Sequence, residues 1–182
     1  MTTALTSAVE LLERSLGYTR MALAGVTDSH LAAPTPCREW TLRDLLAHMD
    51  DSLDAFTEAA GGHVALSRTR GAPPVVVLQQ KSCALLGLWS GEGPPGVSVG
   101  GLDLGTDLLV ATAALEITVH GWDVAQATGT RSPIPEELAR HLLPVAYRTV
   151  GDDDRGIRFA AALPEPVGAG ADVRLRAFLG RI

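Results

Sequence analysis

Glu116 and His120 stand four residues apart in Leu115–Gly129, LEITVHGWDVAQATG, a stretch that otherwise reads as buried helix. Side chains at i and i+4 lie one above the other on a helix face. A carboxylate and an imidazole so placed can share one metal ion. They can equally hydrogen-bond each other, or water, inside a packed core. Either group is costly to bury without a partner, so this face points to chemistry as well as packing. Asp123 follows His120 by three residues, again on that face. It could orient His120 as an acceptor for the ring's other nitrogen, a common partner for a ligating imidazole. The bland reading is a helix-side carboxylate that pairs with a basic residue elsewhere.

A third donor comes from an earlier helix. Trp40-Thr41-Leu42-Arg43-Asp44-Leu45 is a strong helix start, with Thr41 as N-cap and Asp44 completing a capping-box-like pair. Trp40 and Leu45 occupy the positions of a hydrophobic staple. Leu42, Leu45, Leu46, Met49, Leu53 and Phe56 form the core face of this helix, which runs to about Ala60. His48 lies beside that stripe, at the bundle interior or its mouth. Two histidines and a carboxylate are a known catalytic ligand set for zinc, with a position left for water or substrate. A similar set on non-haem iron also leaves open positions. Periodicity alone turns His48, Glu116 and His120 toward one interior without making them meet.

Other chemistry is weakly represented. There is no GxxxxGK[ST] loop, the GVSVG string at 96–100 lies in a hairpin signal and not at a strand-to-helix elbow, and no GxGxxG follows a strand and opens a helix. The two cysteines, Cys37 and Cys83, lack CxxC spacing, which excludes a disulfide framework or zinc ribbon. Cys37 sits in a pre-helix turn with no base identified beside it, so it makes a poor nucleophile. Cys83 reads as a small buried hydrophobe. Trp122 reads as packing, and His30, His63 and His141 as surface residues. Gly151-Asp152-Asp153-Asp154 reads as a solvated acidic turn, because the sequence after it lacks EF-hand spacing.

The elements that must position these residues are mostly helical. Ala and Leu dominate and aromatics make up only 4%, which favours helix packing over a β-sandwich. The spacing predicts helices over Ala4 to about Ala24, Thr41 to about Ala60, Val75 to about Trp89, Thr106 or Asp107 to Gly129, and Glu136 to about Val150. The first is expected to bury Leu5, Val9, Leu12, Leu16 and Leu23. Val97–Val99 and Leu102–Leu104 alternate around Gly100-Gly101, a short hairpin signal. A short strand at Arg158–Ala161 and a short helix at Ala171–Phe178 complete the chain. The expected fold is a mainly α, single-domain bundle over residues 1–182, with a hairpin and an extra C-terminal helical segment.

Charge and hydropathy narrow the partners. The chain carries 15 basic against 21 acidic residues, and Lys81 is its single lysine, so nucleic-acid binding is disfavoured. No apolar run is expected to reach the length of a membrane span, and the N-terminus does not read as a signal peptide. The expectation is a cytoplasmic protein with reduced thiols, no membrane and a small-molecule substrate. The Ala- and Leu-rich helix faces are either core or the contact of a homodimer.

Two stretches together carry a resemblance. Pro34–Ser52, PTPCREWTLRDLLAHMDDS, resembles the entry into the second helix of the mycothiol-dependent maleylpyruvate isomerase N-terminal domain family. LEITVHGWDVAQATG is similar to that family's later metal-binding helix, and LRAFLGRI resembles the closing signature of its short, actinobacterial-type members. The resemblance implies a DinB-like four-helix bundle that binds a divalent metal, usually taken as zinc, through His48, Glu116 and His120. It further implies a low-molecular-weight thiol cosubstrate such as mycothiol. The expected activity is thiol-dependent S-transfer or isomerisation of a small electrophile. The alternatives are a non-catalytic metal-binding stress protein and a metal-dependent hydrolase.

Overall fold

A computed structural model describes residues 3–37, 39–61, 73–91, 96–99, 102–156 and 158–181. The elements are α1 (Thr3–Leu23), α2 (Leu42–Ala59), α3 (Pro74–Trp89), β1 (Gly96–Val99), β2 (Leu102–Gly105), α4 (Thr106–Ala127), α5 (Glu136–Thr149) and α6 (Ala171–Phe178). The first four helices form a bundle in which α1 packs along α4 and also touches α3. Helix α2 lies between α3 and α4. Helix α5 packs on α4, and α6 on α5. Strands β1 and β2 pair antiparallel, with Val97 opposite Leu104 and Val99 opposite Leu102. They lead directly into α4. His63 and the Gly100-Gly101 turn lie outside the described residues.

Helix α4 is the centre of the bundle. Sixteen of its residues, from Thr106 to Ala125, are buried. It is long and apolar enough to cross a membrane by length and composition, which the sequence reading did not anticipate. Its apolar surface faces α1, α2 and α5, and 83% of the most apolar stretch is buried inside the bundle. A helix that is hydrophobic all round fits such a central position.

Helix α1 departs from the expected stripe. Its buried face is Ala8, Leu11, Leu12, Ser15, Thr19, Ala22 and Leu23, whereas Val9 and Leu16 are only partly covered. The two deepest polar positions are small. Ser15 satisfies its hydroxyl on Leu11 O at 2.9 Å, and the Thr19 hydroxyl donates to Ile117 O of α4 at 2.8 Å. Opposite Thr19 stands Gly121. A β-carbon placed there would lie 3.0 Å from Thr19 Cβ and 3.1 Å from Thr19 Cα. The α1 backbone therefore closes onto α4 where α4 has no side chain.

Helix α3 also turns differently from expectation. Its buried residues are Leu78, Lys81, Leu85 and Trp89, at helical spacing. Cys83 falls off this stripe and is exposed, not buried. Lys81 is inside the stripe because it reaches Asp50 at 2.6 Å and Asp54 at 2.7 Å, both on α2. Arg158–Ala161 forms no strand. It carries only an isolated bridge between Arg155 and Phe159.

Candidate metal centre

The site begins with the cap of α2. Thr41 N donates to Asp44 Oδ2 at 2.9 Å, and Asp44 N donates back to Thr41 Oγ1 at 3.4 Å. This reciprocal box fixes the first turn, and the stripe Leu42, Leu45, Leu46, Met49 and Leu53 then seats α2 in the core. His48 follows on the edge of that stripe. Trp40, the intended staple residue, lies against His48, with ring centroids 4.9 Å apart. It stands half exposed at the rim of the site.

Helix α4 supplies the rest. His48 Nε2 lies 2.8 Å from Glu116 Oε1, and His120 Nε2 lies 3.0 Å from the same oxygen. The ligand atoms of His48, Glu116 and His120 all fall within 4.8 Å of one another. Ligands about 2.0–2.2 Å from a tetrahedral zinc stand roughly 3.3 Å apart, so small side-chain adjustments would admit a cation among these three atoms. Side-chain exposure grades across the set, from 36% at His48 and 26% at Glu116 to 7% at His120. The donors are thus backed by protein on the His120 side and reachable from the His48 side. The residue types, the shared focus and the open flank fit a divalent cation.

Without a cation, protons hold the donors together. Burial opposes ionisation of Glu116, yet the His120 and His48 imidazoles outweigh it and keep its carboxyl well below the usual carboxylate range. Burial likewise opposes a charged His120. Glu116, then Asp123, overcome it and raise His120 well above the ordinary imidazole value. A divalent cation would take the place of the Nε2 protons.

Asp123 lies within hydrogen-bond distance of His120, and it also meets a basic residue. His120 Nδ1 lies 2.9 Å from Asp123 Oδ2. An ionised carboxylate only accepts, so the Nδ1 proton points to Asp123, and Nε2, once freed of its own proton, would turn its lone pair to the donor focus. Arg181 then grips the same carboxylate. Its Nε lies 3.0 Å from Oδ1 and 3.1 Å from Oδ2, and its Nη2 lies 3.0 Å from Oδ2. Burial works against the Asp123 charge, but Arg181 and then His120 hold its carboxyl below the usual range.

Two residues near the site escaped the sequence reading. Arg181 is delivered by the end of α6. Gly180 N donates to Ala177 O and Arg181 N to Arg176 O, which is the paired bonding of a Schellman cap. Gly180 takes φ +71, and a β-carbon there would meet Ala160 and Ala161 at 2.7 Å. A glycine just past a short helix signals this cap, but nothing local says where the next side chain goes. Cys37 is the second. Its turn is tied by Thr35 N to Trp40 O and Trp40 N to Cys37 O, both 3.1 Å, with Glu39 at φ +67. The thiol lies 3.3 Å from Asp123 Oδ2 and 3.5 Å from Arg181 Nη2. The fold thus sets a carboxylate and a guanidinium beside a thiol for which the sequence identifies no neighbouring base. Cys37, His120 and Asp123 make a second group of potential donors, on the Nδ1 side of the same imidazole. His141 stays away from the site and pairs with Glu137 at 3.3 Å.

Beside the centre is a small recess, part of it continuous with solvent. Leu23, Met49, Leu53, Leu78 and Ile117 give it apolar walls. Glu116 and His120 stand at one side, and Thr19, Ser52 and Ser82 supply hydroxyls.

Comparison with known proteins agrees with this architecture. Residues 12–79 match the family described as the mycothiol maleylpyruvate isomerase N-terminal domain, a span that takes in α2 and His48. Two uncharacterized proteins of Mycobacterium tuberculosis, from strains CDC 1551 / Oshkosh and ATCC 25618 / H37Rv, are each 31% identical over 165 residues. That alignment covers 87% of this chain and 89% of each relative. No solved structure matches the chain. The sequence match and the helical bundle with its facing donors lead to one assignment: the chain belongs to the mycothiol maleylpyruvate isomerase N-terminal domain family.

Proposed function

We propose that this protein is a divalent-metal-dependent enzyme that joins a low-molecular-weight thiol, mycothiol in the family's chemistry, to a small uncharged electrophile. The cation is zinc, held by His48, Glu116 and His120. The reaction is S-transfer, or an isomerisation that passes through a thiol adduct. The observation that carries this reading is the convergence of three donor atoms within 4.8 Å, with an exposed flank on the His48 side.

A bound cation would supply positive charge that favours thiolate over thiol and polarises a carbonyl. The chain's own residues do the rest. Asp123 holds the Nδ1 proton of His120 and so leaves Nε2 as the atom that would meet the cation. Ser52 Oγ, 3.5 Å from both His48 Nε2 and Glu116 Oε1, stands where an incoming group would meet the donors. The apolar walls of the recess would shield from water the part of an electrophile held beside the donors. No Lys or Arg is among the described residues that line it, which suits a neutral compound better than a multiply charged anion. In S-transfer the sulfur–carbon bond forms as the bond to the leaving group breaks. The leaving group departs with the electron pair, and the thiol proton passes to solvent.

The test is metal analysis of protein purified without added metal, followed by conjugation of mycothiol to a neutral probe such as chlorobimane, with and without chelator. Conjugation is expected to require the metal and to disappear in His120→Ala. Full metal content and full activity in His120→Ala would overturn the assignment of the site. Turnover of the probe by hydrolysis, without thiol, would replace transfer with a hydrolase.

A further inference from the structure

His120 stands between two donor groups. Its Nε2 faces Glu116 and His48, and its Nδ1 faces Asp123 and the Cys37 thiol. By residue type alone, either side could hold a divalent cation, and the thiolate side would bind zinc more softly and more tightly. The two sides differ in one respect. The Arg181 guanidinium lies in the Nδ1-side group, doubly bonded to Asp123, bonded to Leu179 O at 3.3 Å and within 3.5 Å of the Cys37 sulfur. Nothing comparable occupies the Nε2 side, whose described neighbours are carboxylate, imidazole and hydroxyl.

We propose that Arg181 is a positioning residue that assigns the cation to the Nε2 side of His120: it fills the Cys37–His120–Asp123 group with a fixed positive charge and locks the ring through Asp123. The inference rests on the metal reading above. A guanidinium does not lose its proton in proteins, so it acts as a permanent occupant that no second cation shares. It also takes up the Asp123 oxygens that would otherwise serve as ligands. The tail thereby decides that the cation is bound by nitrogen and oxygen, with Cys37 kept as a bystander.

The probe is cobalt(II), whose absorption reports thiolate ligation. The wild-type protein is expected to take up cobalt without a sulfur-to-cobalt charge-transfer band. In Arg181→Leu the band should appear, because Cys37 loses its proton to solvent and binds. It should vanish again in Arg181→Leu/Cys37→Ser. Affinity at the Nε2 side should fall about 10- to 100-fold in Arg181→Leu, as when an outer hydrogen-bond partner is lost. Arg181→Lys, which keeps a cation there, should restore a band-free spectrum. A charge-transfer band in the wild type, or an unchanged spectrum and affinity in Arg181→Leu, would overturn the proposal while leaving metal binding intact. Failure of the wild type to bind cobalt would overturn the metal reading and this inference together. Should Arg181→Leu not fold, nitrogen-15 NMR of the zinc-loaded wild type gives the same decision. His120 must show a protonated Nδ1 and a metal-shifted Nε2, and the reverse assignment would refute the role of Arg181.

Discussion

Gly121→Ala sets two physical effects against each other at one atom. Helix propensity alone favours alanine by about 1 kcal/mol. The new β-carbon, however, would sit 3.0 Å from Thr19 Cβ and 3.1 Å from Thr19 Cα, with Thr19 Oγ1 nearer still. Ordinary contact begins near 3.4 Å. A rotamer change can move Oγ1 but not the α1 backbone, so α1 must retreat. Overpacking of this kind costs about 1–3 kcal/mol. The bond from Thr19 Oγ1 to Ile117 O is lost with it, a further ~0.5–1.5 kcal/mol. The balance is a destabilisation of roughly 2 kcal/mol, or about 4–8 °C in Tm for a chain of this size.

Urea and thermal melts of the metal-free protein measure that cost, and a double-mutant cycle locates it. Thr19→Ala removes Oγ1, and Thr19→Gly removes the β-carbon as well. The penalty of Gly121→Ala should shrink in that order. Because Gly121 adjoins His120, displacement of α1 should also weaken cobalt binding in the single mutant. The reasoning is refuted if Gly121→Ala proves neutral or stabilising, or if its cost is identical in the Thr19→Gly background.

Zinc addition should change the emission of Trp40, whose ring lies 4.9 Å from that of His48. Trp40→Phe should abolish the signal and leave affinity unchanged, and a signal that survives would point to Trp89 or Trp122 instead. Glu136 accepts from the first amides of α6, Ala171 N at 2.9 Å and Asp172 N at 3.4 Å, and chiefly the Ala171 bond holds its carboxyl below the usual range. A folded value below the unfolded one, about 4.3, means that this anchoring is complete above pH 4.3 and is lost as pH falls through the folded value. The Ala171 amide resonance should titrate with a midpoint below 4.3, and Glu136→Gln should remove that titration. Lys81→Met takes the cation from Asp50 and Asp54 and should cost about 2 kcal/mol, less than the 3–5 kcal/mol of a fully buried pair because Asp54 is half exposed. A urea melt unchanged within error would show the pair to be worth nothing, and Lys81→Met/Asp50→Asn should recover part of the loss.

What the sequence made legible is what helical periodicity can carry. Glu116, His120 and Asp123 share a face because four- and three-residue steps put them there, and His48 follows from a capped helix with a clear apolar stripe. Periodicity failed where its premise failed. In α3 apolar residues stand on every side, so no stripe stands out in the sequence to say that Cys83 faces outward and Lys81 inward. In α1 the large residues Leu11, Leu12 and Leu23 share the buried face with Ser15 and Thr19, and Thr19 is small where α1 closes on Gly121. The hydroxyls that look polar in the sequence are satisfied on helical carbonyls.

Arg181 escaped for a different reason, and the reason bears on how the site is tuned. It lies 58 residues from Asp123 along the chain, and no local pattern joins them. Yet its charge belongs in any account of the centre. With both imidazoles neutral, Glu116 and Asp123 bring two negative charges, and Arg181 cancels one of them. A dication would then meet a cluster carrying a single negative charge, and would meet that charge at Glu116, because the Asp123 charge is already paired. Without Arg181 the second carboxylate would draw the cation toward Nδ1 and Cys37. The candidate donors are thus set within the bundle, by helical spacing, while the choice we propose between the two faces of His120 would be set from outside it, by a six-residue span from Leu175 to Gly180 that ends a helix and turns Arg181 inward.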